Sequence, residues 1–142
     1  MTANGKRFSE RDVAGLSQQI LYAISYIHEN GLVHRDLKLE NIMVEVTRNA
    51  DRTTDLVCKL TDFGFACVIQ PGTNLQLKCG SPLYMSPEIV MNESYGQGVD
   101  IWSFGVAIYA LLCGKFPFDG RKVNVIYDKI KDKHEVPDYS PL

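Results

Sequence analysis

The chain has 142 residues, of which 45% are hydrophobic and 23% are charged, and its formal net charge at pH 7 is −2. This length allows one domain with a buried core, and the balance of apolar and charged residues excludes a disordered tail. Lysine and arginine are scattered along the sequence, so no basic stripe indicates a nucleic-acid partner.

The first predicted element is a long amphipathic helix that begins after Ser9. Ser9 and Asp12 have the spacing of a capping box. Apolar residues then recur in steps of three and four, which predicts one buried face. They are Val13, Leu16, Ile20, Ile24 and Ile27. The pair Asn30-Gly31 predicts the end of the helix.

Three short β-rich runs follow, at residues 32–33, 42–46 and 56–60. The polar residues 47–55 predict a solvated hairpin tip between the last two runs. Residues 65–83 have no helical pattern and include Pro71-Gly72, so we expect an irregular segment there.

Two further helices are predicted towards the end of the chain. Residues 99–113 are apolar on nearly all sides, which predicts a buried helix, and residues 121–133 are amphipathic through Val125, Ile126 and Ile130. The expected fold class is therefore mainly α with a small β component.

The cysteines and the apolar stretches indicate in which cellular compartment the protein is expected. No two of the four cysteines form a Cys-x-x-Cys pair and the three histidines do not cluster with them, which argues against zinc or a disulfide framework. The first ten residues have no apolar core, and the longest apolar stretch, residues 101–113, is too short to span a bilayer. We expect reduced thiols in a cytoplasmic or nuclear protein, without a membrane partner.

The chemistry is concentrated in two short motifs. Residues 34–41 read HRDLKLEN, and residues 62–64 read DFG. A carboxylate, a lysine and an asparagine thus lie on one loop, with a second carboxylate one hairpin later. Such a set can deprotonate a hydroxyl, contact a phosphate and hold magnesium.

With these motifs the chain resembles the catalytic domain of eukaryotic serine/threonine protein kinases over nearly all of its length. Further motifs follow in the family's order, namely GSP at 80–82, SPE at 86–88 and DIWSFG at 100–105. Lys38, two residues after Asp36, is similar to the serine/threonine branch. The sequences CGSPLY at 79–84 and GKFPF at 114–118 most resemble the calcium/calmodulin-dependent kinase group.

The resemblance covers only part of the family's domain. Residues 1–142 contain no Gly-x-Gly-x-x-Gly loop and no Val-Ala-x-Lys strand, which in the family hold the ATP phosphates. Residues 5–10 resemble the lead-in to the first long helix of the C-lobe, and the last helix resembles the G helix. We therefore expect residues 1–142 to form a C-lobe fragment, without the N-lobe that would normally pack on it.

The resemblance implies a role for each polar residue of the two motifs. Asp36 would accept the proton of the substrate hydroxyl, and Lys38 would lie near the transferred phosphate. Asn41 and Asp62 would bind Mg²⁺. The implied cofactors are ATP and Mg²⁺, and the implied partner is a protein with a serine or threonine acceptor.

Apolar residues near these motifs have implied roles as well. Met43 and Ile42 would form the floor beneath adenine, although strand core is the alternative. The ring of His34 would pack under Phe63.

The resemblance implies that two further carboxylates have structural partners. Asp100 would hold backbone amides of the catalytic loop, or serve only as an acid at a helix N-terminus. Glu88 would pair, in the family, with an arginine beyond Leu142, so we expect an unpaired charge here.

The segment that the family uses for regulation departs from the usual pattern. Arg35 beside the catalytic aspartate implies control by a phosphorylated loop residue. The usual position for it, three residues before Gly80, is Leu77, and Thr73 is the only hydroxyl residue between Asp62 and Gly80. Ser81 would contact the catalytic aspartate and lysine.

The function expected from the resemblance is transfer of the ATP γ-phosphate to serine or threonine of protein substrates. We expect the isolated chain to be inactive and to expose apolar surface around Val33, Met43 and Phe63. The alternative is a non-catalytic, kinase-derived docking or regulatory fragment.

Overall fold

The structure is a computed structural model that describes residues 8–48, 54–70 and 72–139. The lead-in at residues 5–7, the hairpin tip at 49–53 and Pro71 lie outside these residues.

Helix α1, Glu10–Glu29, confirms the first predicted element. The Ser9 hydroxyl accepts from the Asp12 amide, and the Asp12 carboxylate accepts from the Ser9 amide, which completes the capping box. The five apolar residues of the predicted stripe are all buried. The helix ends at Asn30, and Gly31 follows with a φ of 71°, which glycine adopts without strain.

Four strands form two separate two-stranded antiparallel sheets. Strand β1, Leu32–Val33, pairs with β4, Cys67–Val68, and strand β2, Ile42–Arg48, pairs with β3, Thr54–Leu60. The side chain of Gln19 in α1 donates to the Leu56 carbonyl at 2.8 Å and accepts from the Cys58 amide at 2.9 Å. This pair of hydrogen bonds ties the β2–β3 hairpin to the first helix.

Three helices complete the described part of the chain. They are α2, Pro87–Val90; α3, Gly98–Cys113; and α4, Val123–Lys131. Short 3-10 turns lie at Leu39–Asn41 and Pro82–Tyr84. Because the helices contain more residues than the strands, the expected mainly α fold with a small β component agrees with the described residues.

Two apolar clusters lie on either side of the catalytic loop. The larger joins β1, α2, α3 and α4 and includes Val33, Ile89 and Val99. The second packs Ile20 and Ile24 of α1 against Leu37 of the loop. Apolar side chains on both sides therefore fix the path of residues 33–37.

Several predictions about exposure were wrong. Val33 is fully buried, because its strand lies against the larger cluster instead of facing solvent. Ile101 is 47% exposed, so one side of α3 faces outward in the described structure, and Val125 is 40% exposed. Strand β4 was not predicted, since it is defined by its pairing with the distant strand β1. Among the described residues, no helix is both long and apolar enough to cross a membrane.

Candidate active site

The catalytic loop is held by one buried carboxylate at the start of α3. Asp100 is fully buried and accepts hydrogen bonds from the backbone amides of His34 and Arg35, each at 2.9 Å. The Nε2 atom of His28 lies 2.8 Å from the same carboxylate. The expected role of Asp100 in holding the loop is confirmed, and the histidine supplies a further contact that satisfies the buried charge.

Arg35 has a backbone that a residue with a side chain rarely adopts, with a φ of 68°. Such a conformation costs roughly 1–3 kcal/mol unless its surroundings impose it. Here the Asp100 hydrogen bond holds the Arg35 amide, and the Arg35 Nε donates to the Phe65 carbonyl at 2.6 Å. The residue that follows this turn, Asp36, has its carboxylate within hydrogen-bond distance of Ser81.

Asp36, Lys38 and Ser81 form one hydrogen-bonded cluster. The Lys38 ammonium donates to Asp36 Oδ2 at 2.7 Å, and the Ser81 hydroxyl donates to Asp36 Oδ1 at 2.8 Å. The Lys38 ammonium also donates to the Ser81 hydroxyl oxygen at 3.1 Å. The hydrogen bond to Asp36 raises the pKa of Lys38 above its ordinary value, so the lysine stays charged at neutral pH. The predicted contacts of Ser81 are confirmed.

Asn41, at the end of the same loop, is hydrogen-bonded to the backbone of Asp36. Its Nδ2 donates to the Asp36 backbone carbonyl at 2.9 Å, and the residue is buried. Its side-chain oxygen accepts no hydrogen bond from the described residues. That oxygen is therefore free to coordinate a cation.

The register of the hairpin brings Thr61, the residue before Asp62, to the backbone of Asn41. Ile42 is opposite Leu60, and Thr61 donates to the Asn41 carbonyl through its amide at 2.9 Å and its hydroxyl at 3.1 Å. Asp62 follows with a φ of 59° and an exposed side chain, whose Oδ1 accepts from the Gly64 amide at 3.2 Å.

The two residues expected beneath adenine face different ways. Ile42 packs against the cluster of Ile20, Ile24 and Leu37, whereas Met43 is 62% exposed. The expectation for Ile42 was wrong, because successive residues of a strand point to opposite faces. Of these two residues, Met43 is the one that presents its apolar side chain to the outside of the hairpin.

The aromatic contact after the hairpin agrees with expectation. His34 is fully buried, and its ring centroid lies 4.9 Å from that of Phe63. Phe63 itself is 46% exposed, so its outer face remains open.

A groove of about 490 Å³ opens beside the cluster. Its lining includes Lys38, Asn41, Ser81, Leu83 and Phe116. The groove therefore meets the hydrogen-bonded cluster at Lys38 and Ser81.

Other ionisable groups bear on the expectations from the sequence. Glu88 is half-buried, and no hydrogen bond or ion pair joins its carboxylate to any described residue. All four cysteines are free thiols. Within residues 8–48, 54–70 and 72–139, no three His, Cys, Asp or Glu side chains converge on a metal site.

Two residues of this region were not found from the sequence. His28 lies in the last turn of α1, and nothing in its sequence context singles it out. Tyr95 is buried in the loop before α3 and contacts the segment before Ser81. Their contacts join residues 72 and 18 positions apart in sequence, which no local pattern reports.

Comparison with known proteins agrees with this geometry. The family model described as the protein kinase domain matches residues 1–140. The SNF1-related protein kinase catalytic subunit alpha KIN12 of Arabidopsis thaliana is 42% identical over 125 residues, which is 88% of this chain and 24% of the relative. Serine/threonine-protein kinase 33 of Bos taurus is 44% identical over 128 residues, or 87% of this chain and 26% of the relative.

A third relative, the NUAK family SNF1-like kinase 2 of Rattus norvegicus, is 45% identical over 125 residues, or 87% of this chain and 19% of the relative. This chain thus spans about a quarter or less of the length of these curated relatives. The match over nearly the whole chain, together with the site described above, shows that the chain belongs to the protein kinase family.

Proposed function

We propose that the chain carries the catalytic loop of a protein serine/threonine kinase, which transfers the ATP γ-phosphate to a serine or threonine hydroxyl. The observation that carries the proposal is the cluster in which Asp36 accepts from both Lys38 and Ser81 within 2.8 Å. The Asp36 carboxylate would accept the proton of the acceptor hydroxyl, and the Lys38 ammonium would neutralise charge on the transferred phosphoryl group.

The residues present fit magnesium and nucleotide. Asn41 offers a free amide oxygen and Asp62 an exposed carboxylate, and Mg²⁺ prefers such oxygen ligands together with phosphate oxygens and water. Bound Mg²⁺ would neutralise the phosphate charge. Met43 would offer its exposed side chain to the adenine ring.

The finer assignment rests on sequence motifs. We propose that the chain belongs to the calcium/calmodulin-dependent kinase group, because of the motifs at 79–84 and 114–118, and that residues 1–142 correspond to a C-lobe fragment. A protein with a serine or threonine acceptor would bind in the groove beside Lys38 and Ser81.

A chimera tests the proposal. This chain replaces the 128 residues that align with it in serine/threonine-protein kinase 33, which supplies the remaining kinase sequence. The chimera should transfer ³²P from γ-labelled ATP to a serine peptide, and Asp36→Asn should abolish the transfer. A folded chimera that binds MgATP but transfers no phosphate would contradict the proposal.

The second candidate is a non-catalytic docking or regulatory fragment. Met43 and Phe63 favour it, because they expose large apolar side chains on one side of the catalytic loop. The same chimera separates the two candidates. If the chain is only a docking fragment, the chimera would bind MgATP without transferring phosphate.

A further inference from the structure

The activation segment, residues 65–83, is anchored to the loop before α3. Leu75 and Tyr95 exchange two backbone hydrogen bonds of 2.8 Å. Two residues further on, the Tyr95 hydroxyl donates to the Leu77 carbonyl at 2.5 Å. Tyr95 is only 3% exposed, so this hydrogen bond is shielded from water.

Leu77 occupies the position at which the resemblance to the family would place a phosphorylated residue. Leu77 has no hydroxyl, its side chain is 61% exposed, and only its backbone is held. Burial raises the pKa of the Tyr95 phenol, so the hydroxyl keeps its proton and remains a donor at neutral pH.

A second anchor lies one residue further along. The Lys78 ammonium donates to the Val90 carbonyl at 3.2 Å and lies 4.4 Å from the centroid of the Tyr127 ring. The segment is therefore tied to the ends of α2 and to α4 as well as to Tyr95.

The anchored residues lead directly to the catalytic cluster. Cys79 is buried, with its Sγ 3.9 Å from the Tyr95 hydroxyl. Gly80 follows with a φ of 99°, so close to the catalytic loop that a Cβ atom there would lie 2.5 Å from the Arg35 carbonyl oxygen. Ser81 then donates to Asp36. A shift at Leu77 would thus be passed on, through two packed residues, to the hydroxyl that contacts the Asp36 carboxylate.

We propose that Tyr95 is a positioning residue that fixes the activation segment through the Leu77 carbonyl and so places Ser81 on Asp36 without a phosphorylated residue at position 77. The effect of Tyr95 on phosphoryl transfer rests on the proposed function. The local order of the activation segment does not depend on that function, so this proposal and the proposed function can fail separately.

The experiment compares the reactivity of two buried thiols of this chain within the chimera described above. Cys79 is 8% exposed and Cys113, in α3, is 3% exposed, so an alkylating reagent reaches either one only when its surroundings open. Iodoacetamide labelling is followed by peptide mass spectrometry. Tyr95→Phe removes the hydrogen bond to Leu77 and the hydroxyl contact with Cys79 Sγ. It should raise the Cys79 rate about fivefold, while the Cys113 rate stays as in the unaltered chain.

The matched control is Tyr26→Phe, which removes the hydroxyl of a tyrosine that is 70% exposed. It should change neither rate. An unchanged Cys79 rate in Tyr95→Phe would overturn the proposal. Equal increases at Cys79 and Cys113 would also overturn it, because they would mean that Tyr95 stabilises the whole fold and not the segment.

Hydrogen exchange in the unaltered chain gives a test that needs no variant. The amides of Leu75 and Tyr95 should exchange more slowly than those of their exposed neighbours Asn74 and Gln76. Equal exchange rates would show that the anchor is not formed, and would overturn the proposal.

Discussion

Asp100 is the residue on which the geometry of the catalytic loop depends. Its carboxylate satisfies two buried amides and one imidazole, and no solvent reaches it. We expect Asp100→Ala to lower the free energy of unfolding by about 3 kcal/mol or more, because it leaves these donors buried and unpaired. Urea unfolding of the chimera, followed by circular dichroism, measures the change.

The control for this variant is Asp128→Ala. Asp128 also lies on a helix, but its side chain is 70% exposed and pairs only with Lys131, three residues away. Such surface pairs contribute about 0–1 kcal/mol. Equal losses in the two variants would show that Asp100 has no special role in holding the loop.

Asp36 and Asp62 are expected to do different things in the chimera. Asp36 lies in the hydrogen-bonded cluster with Lys38, whereas Asp62 has an exposed side chain outside that cluster. Asp36→Asn should therefore abolish turnover and leave MgATP binding nearly intact, while Asp62→Asn should weaken magnesium-dependent binding as well. Calorimetry with ATP, with and without Mg²⁺, distinguishes them, and an ATP affinity unaffected by Asp62→Asn would count against the separate roles.

The start of helix α1 depends on the capping box formed by Ser9 and Asp12. The Ser9 hydroxyl and the Asp12 carboxylate satisfy each other's backbone amides. Ser9→Ala should cost about 1 kcal/mol of unfolding free energy. Ser25→Ala, in the exposed interior of the same helix, should cost close to nothing, since its hydroxyl bonds only the Glu29 side chain. A neutral Ser9→Ala would mean that the cap does not set the helix start.

The elements also show what sequence reasoning can and cannot reach. A period of three and four residues identified α1, and β-rich runs identified β2 and β3, because these patterns are repeated many times within one element. The burial of Val33 was missed, because it depends on packing against α2 and α3. Strand β4 was missed as well, because its pairing with β1 spans more than thirty positions.

In the candidate site, too, some features could be predicted from the sequence and others could not. The residue types of the catalytic loop carry their chemistry in the sequence, so Asp36, Lys38 and Asn41 could be named before the structure. Their mutual distances could not, because they are set by Asp100, which comes from a helix more than sixty positions away. Ile42 was placed wrongly for a local reason, since the phase of a strand depends on which face meets the core.

For the whole molecule, the exposed apolar side chains bear on stability and association. Met43, Phe63 and Ile101 are each exposed by 46% or more. Exposed apolar patches on a monomer favour association. The isolated 142-residue chain should therefore unfold in a broad, irreversible transition at low temperature and should self-associate, as followed by calorimetry and analytical ultracentrifugation.

A sharp, reversible transition of a monodisperse monomer above about 60 °C, near the top of the range for mesophilic domains, would contradict this expectation. It would show that residues 1–142 fold as a self-sufficient domain. That result would favour the docking or regulatory fragment over the catalytic proposal.

If the loop around Asp36 transfers phosphate to an aliphatic hydroxyl, as proposed, the phosphorylated amino acid is serine or threonine. The chimera is incubated with γ-labelled MgATP and an equimolar mixture of peptides that differ only in a serine, threonine or tyrosine acceptor, and the label is assigned by phosphoamino acid analysis. With Lys38 on Asp36 as observed, we expect phosphoserine and phosphothreonine, and none from Asp36→Asn. Label on tyrosine, or equal labelling by Asp36→Asn, would contradict it.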